Sequence, residues 1–296
     1  MTELTRSVGD MTEKKYGLIG LGAMGLPMAR NSVQRGYDVV GFDINPDALA
    51  KAENVGVKIA SDLADLAAQV EIIVACLPND EAQLALTQEL APLMHADQLL
   101  VVSGTHSIDL MRSLAELVGE RGARVLDAPV VWGAIGAEEG TLLSLFGGDA
   151  ADFERAKVIA LGYSADAELM GPLGAGQLTK ACNNYLHWVH VVTNFEALAL
   201  AKRYGVDPAR MRDVLLKSPG NNGSLGHLEK YGLTWHEKDM DLLLDMAQTG
   251  GLMMPMAGQT DQIIKSIKKK DCNELLFEPE CSYLGQRVAA MENGVG

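Results

Sequence analysis

At 296 residues, 48% hydrophobic and 22% charged, the chain has material for one large domain or two ordinary ones, and its composition is that of a soluble globular protein. A formal net charge of -14 excludes nucleic acid and anionic membrane as default partners, because most of the surface would repel a phosphate array. The four cysteines (Cys76, Cys182, Cys272, Cys281) have no C-x-x-C spacing and no apolar stretch reaches membrane-spanning length, so reduced thiols and a cytoplasmic location are expected.

In chain order, MTELTRSVGDMTEKKYG carries mixed charge and no apolar signal-peptide core, and Met11 opens a more ordinary start, so residues 1–14 read as an N-terminal extension. Short β-branched runs then alternate with helical periods. Strands are predicted near 16–21, 38–43, 71–77, 99–104, 124–130 and 142–148, the pattern of parallel strands joined by crossover helices. From about residue 174 the alternation stops, and the remainder has helical period with turns at Pro208, 218–223 and 250–255. IKKKD at 267–271 reads as a solvated helix end favoured by the negative pole. The expected layout is an α/β domain over 15–172 and an all-α domain over 173–296, the second beginning with a long interdomain helix whose polar stripe would line a cleft.

The segment YGLIGLGAMGLPMAR places Gly20-x-Gly22-x-x-Gly25 directly after an apolar strand and directly before a helix. In that context the first glycine allows the tight turn, the second lets a pyrophosphate approach the backbone, and the third permits close packing of helix on strand. The phosphates would sit at the helix N-terminus, held by Gly20, Leu21, Gly22, Ala23, Met24 and Gly25, which makes the first domain a Rossmann-type doubly wound parallel sheet. Asp43 ends the second strand near the ~20-residue offset at which a carboxylate receives a ribose 2′-hydroxyl, with Ile44 beside it. A carboxylate there repels a 2′-phosphate, so NAD is preferred to NADP. The alternative is that Asp43 only begins the turn before Asn45 and Pro46, which read as an N-cap and first helical residue.

In the predicted long helix, Gln177, Lys180, Asn184, His187 and Asn194 fall on one stripe with a single apolar member, Val191. Lys180 and Asn184 lie one turn, about 6 Å, apart and can address the same small ligand. Oxidising a hydroxyl to a carbonyl needs a group that takes the hydroxyl proton as hydride leaves. A lysine does this only if its pKa falls from about 10.4 to roughly 7–8, a shift of about 4 kcal/mol that desolvation can supply. The competing reading is a snorkelling lysine and a solvated asparagine.

The ordered segments GLIGLGAMG (17–25), LP (77–78), DAPV followed by GAIGAEEGTL (127–142), GAGQLTKACNN (174–184) and EKDMDLLLDMA (237–247) resemble those of the β-hydroxyacid dehydrogenases, in the branch of 3-hydroxyisobutyrate dehydrogenase and tartronate semialdehyde reductase. The resemblance runs from about residue 16 to 270. It implies Lys180 as acid/base, Asn184 as the residue positioning substrate, and Lys238 and Asp239 as contacts to cofactor and substrate. It further implies nicotinamide near Leu77 and Pro78, and assembly as a homodimer or homotetramer.

Two places depart from the family pattern. DAPVVWG (127–133) replaces the usual DAPVSGG, so that Val131 stands for a serine and Trp132 for a glycine. Backbone N–H groups of Trp132 and Gly133 remain for a substrate carboxylate, while Trp132 either contacts an atypical substrate or packs against neighbouring chain. At VVSGTHSIDL (101–110) an aspartate of the family pattern is missing. Thr105 is a candidate for the nicotinamide ribose, and Ser107 for a helix cap.

His187, Tyr231 and Trp235 are further candidates for the substrate wall. His187, His190 and Cys182 give no three ligands at metal spacing and HEKD (236–239) is not H-E-x-x-H, so no metal is expected. The reading is an NAD-dependent dehydrogenase interconverting a 3-hydroxy acid and its semialdehyde or keto form. The rivals are an imine reductase on the same fold and a non-catalytic NAD-binding protein. Retention of Lys180 argues against both.

Overall fold

The computed structural model describes residues 14–230 and 232–294, so Tyr231 and the extension expected before residue 14 lie outside the described residues. Two compact units divide between Lys180 and Ala181, inside the long helix.

In the first unit, nine strands among the described residues form one sheet. They are β1 (Lys15–Ile19), β2 (Asp38–Phe42), β3 (Lys58–Ile59), β4 (Ile72–Ala75), β5 (Leu99–Val102), β6 (Arg124–Asp127), β7 (Val130–Val131), β8 (Leu142–Gly147) and β9 (Ser164–Gly171). The order is β3-β2-β1-β4-β5-β6-β8-β7, with β9 also on β8. Pairing is parallel from β3 through to β6. The sheet is doubly wound because its strands are apolar on both faces. Along β4 and β5, Ile72, Val74, Leu99 and Val101 pack into one core, and Ile73, Ala75, Leu100 and Val102 into the other.

Beyond β6 the parallel order breaks, since β8 runs antiparallel to β6 and β7. Pro129 has no N–H for the ladder, so β6 stops at Asp127, and the chain resumes as β7 while the Pro129 carbonyl accepts from Leu145 N–H (2.9 Å). The strand expected over 124–130 is divided into β6 and β7, and β3 and β9 are absent from the sequence reading.

The crossover helices are α1 (Gly25–Gln34), α2 (Pro46–Asn54), α3 (Leu63–Gln69), α4 (Asp80–Leu90), α5 (Ile108–Gly119), α6 (Gly133–Glu139) and α7 (Ala150–Ala160). Asn45, Asp62, Asn79, Ser107 and Asp149 cap α2, α3, α4, α5 and α7 through their side chains. α1 starts at Met24 with no side-chain cap.

α8 (Ala175–Arg203) begins in the first unit and continues into the second, where Trp188, Val191, Val192, Phe195, Leu198 and Ala199 form the buried face of a separate core. The second unit adds α9 (Pro208–Leu215), α10 (His236–Thr249), α11 (Pro255–Ile264) and α12 (Lys269–Phe277). It is helical as expected, with one addition, an antiparallel hairpin of β10 (Glu280–Tyr283) and β11 (Gln286–Ala289). Tyr283 stacks on Phe195 (5.2 Å between centroids) and its hydroxyl donates to Glu196 (2.6 Å).

The lysine run corrects one expectation. Lys268 is the N-cap of α12 and its N–H donates to Asp271 (2.8 Å), so the run opens a helix instead of closing one. Asp271 in the first turn offsets the misplaced positive charge. No helix among the described residues is long and apolar enough to cross a membrane.

Candidate active site

β1 is the switch point of the sheet, with β2 on one side and β4 on the other, and ligands of open α/β sheets bind at the carboxyl ends of such strands. The chain leaves β1 through the glycine-rich turn, where three glycines answer three different constraints. Gly20 has φ +90°, and a Cβ there would lie 2.4 Å from the Cys76 carbonyl oxygen. At Gly25 a Cβ would lie 1.8 Å from the Gly20 carbonyl oxygen, so no larger residue fits between turn and helix. At Gly22 a Cβ would meet nothing within 4 Å; the backbone there opens onto free space.

Asp43 is tied to this turn. Its Oδ2 accepts from Leu21 N–H (2.6 Å) and its Oδ1 from Asn45 N–H (2.8 Å), so the carboxylate both starts the next turn and braces the glycine-rich one. Ile44 beside it is 94% exposed, an apolar side chain held in solvent. Open backbone at Gly22, an α1 start without a side-chain cap and a carboxylate at the end of β2 together fit a dinucleotide: pyrophosphate at residues 20–25 and ribose at Asp43.

After β4, half-buried Leu77 and exposed Pro78 lead into α4. The Leu77 side chain would lie 3.1 Å from a Cβ at Gly20, and its carbonyl oxygen 2.6 Å from one at Gly104, so the turns after β1, β4 and β5 press together. Thr105 is half-buried in the last of these. Next to it, wholly buried His106 meets Asp80 through Nδ1 (2.9 Å), and Ser107 Oγ donates to the same carboxylate (2.6 Å) while capping α5. Burial pushes the Asp80 carboxyl up, but hydrogen bonds from His106 and Ser107 outweigh it and hold the group below the ordinary carboxylate range.

Of the DAPVVWG residues, Val131 is buried in β7 opposite Leu143, Gly133 is half-buried, and Trp132 is 59% exposed. Trp132 has φ 82° and ψ 0°, left-handed geometry that suits glycine and costs a bulky residue about 1–2 kcal/mol. Gly136 makes room for it, since a Cβ there would stand 2.5 Å from the Trp132 Cβ.

Lys180 is half-buried on α8, and Asn184, one turn on, is buried. Most of the rest of the stripe is buried. Gln177 is wholly buried, Val191 is core, and Asn194 exchanges two amide hydrogen bonds with Asn222 (2.9 Å each). His187 Nδ1 meets Ser224 Oγ (2.8 Å).

In the second unit, Trp188 lies between His187 (4.5 Å between centroids) and His236 (5.9 Å), and its indole N–H donates to Asp239 Oδ2 (3.0 Å). That bond anchors the first turn of α10, which carries half-buried Lys238. Trp235 is 49% exposed just ahead of the helix.

Residues 15–171 match the family model of the NAD binding domain of 6-phosphogluconate dehydrogenase, and 174–275 that of the NAD-binding domain of NADP-dependent 3-hydroxyisobutyrate dehydrogenase. An uncharacterized oxidoreductase of Shewanella frigidimarina is 34% identical over 86% of this chain and 92% of its own. The mitochondrial 3-hydroxyisobutyrate dehydrogenase of Rattus norvegicus is 27% identical over 95% and 89%. The solved structure of Mycobacterium tuberculosis 3-hydroxyisobutyrate dehydrogenase with L-serine superposes with a TM-score of 0.79 at 26% identity, covering 86% of this chain and 93% of that one.

The chain belongs to the β-hydroxyacid dehydrogenase family. As a member it is an oxidoreductase of CH–OH groups that binds a nicotinamide dinucleotide.

Sequence reasoning left Asp127 without a role, although it opens the DAPV motif that points to the β-hydroxyacid dehydrogenases. Its buried carboxylate accepts from Gly174 N–H and Gln177 N–H (2.7 Å each), at the start of the helix that carries Lys180. Burial pushes this carboxyl above the ordinary range, while the backbone N–H groups of Gly174 and Gln177 pull the other way. The signal was the glycine pair of the next motif. Gly174 has φ +93°, and a Cβ on Gly176 would lie 2.7 Å from Asp127 Oδ2.

Proposed function

We propose that the protein is an NAD-dependent dehydrogenase that interconverts a 3-hydroxy acid and its semialdehyde or keto form, with Lys180 as the acid/base. The observation that carries this reading is the placement of Lys180 and Asn184 one turn apart on α8, both withdrawn from full solvent exposure, on a helix whose start is anchored by Asp127. The cofactor supplies the hydride acceptor at nicotinamide C4. In the oxidative direction the Lys180 amine takes the hydroxyl proton as the C–H bond gives up hydride and the C=O bond forms; in reduction the ammonium returns it. Asn184 holds the reacting oxygen in line with Nζ, and Lys238 and Asp239 are the proposed contacts from α10.

NAD is favoured over NADP because Asp43 presents a carboxylate where a 2′-phosphate would be needed to fit. Thr105, Leu77 and Pro78 are assigned to the nicotinamide half and Ile44 to the adenine half. His187 and Trp235 are assigned to the substrate wall. Trp132 supports an atypical substrate: an exposed indole in a strained conformation suits an acid with a planar or extended substituent better than the smallest hydroxy acids.

The test is NADH absorbance with C3 to C6 3-hydroxy acids, L-serine and aromatic analogues, followed by Lys180→Ala on whichever acid turns over. L-serine belongs in the panel because it is itself a 3-hydroxy acid and accompanies the mycobacterial relative. A 10²–10⁴-fold loss of kcat with a folded variant is expected, the usual range for a lost general acid/base. Near wild-type kcat in folded Lys180→Ala overturns the assignment, and turnover of cyclic imines without hydroxy acids moves the protein to the imine reductases.

A further inference from the structure

We propose that Gln177, seated on Asp127, is a positioning residue that sets Lys180 against the loop carrying Thr105. The inference rests on the reading of Lys180 as acid/base and adds a residue to it. Gln177 is 0% exposed and sends its polar groups in three directions. Its backbone N–H donates to Asp127 Oδ2 (2.7 Å), its Oε1 accepts from His106 N–H (2.9 Å), and its Nε2 donates to the Gly104 carbonyl (2.9 Å). The 104–106 segment is thereby fastened to the helix one turn before Lys180. Beyond it, the His106 ring and the Ser107 hydroxyl are fastened to Asp80.

A helix that needed only stability would place an apolar side chain at a wholly buried position, because a buried amide must satisfy several hydrogen bonds to offset its desolvation. Three glycines clear the space this arrangement occupies. A Cβ at Gly104 would lie 2.2 Å from His106 Nε2; at Gly147, 2.3 Å from Asp127 Oδ1; at Gly176, 2.1 Å from the Leu145 carbonyl oxygen. Segments from β5, β6 and β8 thus converge on the first turn of α8. Tilting that turn re-aims Lys180, and a misplacement of about 1 Å costs up to about 10²-fold in rate.

The experiment compares full-length wild type, Gln177→Met, Gln177→Glu, Lys180→Ala and the Gln177→Met/Lys180→Ala pair, with NAD and the most active acid of the panel. Methionine keeps the shape and loses both side-chain bonds; glutamate keeps the acceptor for His106. Expected are a fall of about 10- to 100-fold in kcat for Gln177→Met with KM for NAD within about threefold, and a fall at least as large in Gln177→Glu, whose carboxylate cannot donate to the Gly104 carbonyl. Exchange of the His106 amide should quicken in Gln177→Met, which reports release of the loop separately from turnover. In the Lys180→Ala background the methionine should cost less than about threefold more, since a residue acting through Lys180 has nothing left to aim.

Wild-type kcat in Gln177→Met beside an inactive Lys180→Ala, or full additivity in the pair, overturns the positioning role and leaves Lys180 as acid/base. Wild-type kcat in Lys180→Ala overturns both. Should the methionine variant not fold, Gln177→Glu decides alone: at least about a threefold loss of kcat with KM for NAD unchanged supports the role, and unchanged kcat overturns it.

Discussion

Trp132 is where chemistry and conformation disagree most. Its left-handed backbone would suit glycine, yet the chain keeps an indole there, 59% exposed. Such strain persists when the side chain does something that the favoured residue cannot. Replacing Trp132 with Gly should therefore leave stability unchanged or raise it by about 1 kcal/mol, as relief of the left-handed penalty competes with the added freedom of the unfolded chain. The same change should reorder kcat/KM across the acid panel. Thermal unfolding and the panel read the two effects together. Lower stability with an unaltered ranking would mark Trp132 as packing and end its assignment to substrate. That indole was legible in the sequence as an oddity of DAPVVWG; its exposure and its φ were not.

Among the elements, the start of α4 and the loop before α5 are joined through Asp80, His106 and Ser107. The Asp80 carboxyl lies below its ordinary range in the folded protein, so its bonds add stability above the unfolded-state pKa of a carboxylate, and this is lost as pH falls through the folded value. Asp80→Asn should cost about 1 kcal/mol near neutrality, a figure discounted for the 44% exposure of the side chain, and should flatten the acid limb of the stability curve. Urea midpoints from pH 7 down through the carboxylate range check this. Equal losses for both proteins at every pH would remove Asp80 from the acid response. Asp127 works in the opposite sense, since its raised pKa favours the neutral form. Its contribution is present at low pH and lost as pH rises through the folded value, so the two carboxylates must be separated by mutation before either is read from a pH curve.

At the scale of the whole molecule, cofactor binding couples to folding through the first unit, where the residues assigned to the dinucleotide's phosphates and ribose lie. A ligand held at 100 times its Kd adds about 2.7 kcal/mol to the stability of whatever unfolds with its site. NADH at saturating concentration should raise the thermal midpoint by several degrees, and NADPH at the same concentration by clearly less, because of the Asp43 carboxylate. A larger shift with NADPH would reverse the cofactor preference and point to a cation near the ribose. The formal charge of -14 repels the more highly charged NADPH more strongly at low salt, so the two cofactors should be compared at fixed ionic strength.

Periodicity and local chemistry determined the layout on their own. Apolar runs of strand length alternating with helices dictate a doubly wound sheet, the spacing of Gly20, Gly22 and Gly25 dictates a tight strand-to-helix turn, and Asn45 and Pro46 start a helix because capping is a matter of neighbours in sequence. What only the tertiary structure decided is which polar groups meet across long separations. The helical stripe looked like a single surface, yet Gln177 belongs to a loop some seventy residues earlier in the chain and Asn194 to Asn222. Asp127 reaches Gly174 and Gln177 only when β6 delivers it to the start of α8. Hydrogen bonds within one turn are fixed by backbone geometry that the sequence encodes locally, whereas these depend on where the fold brings distant segments of the chain together.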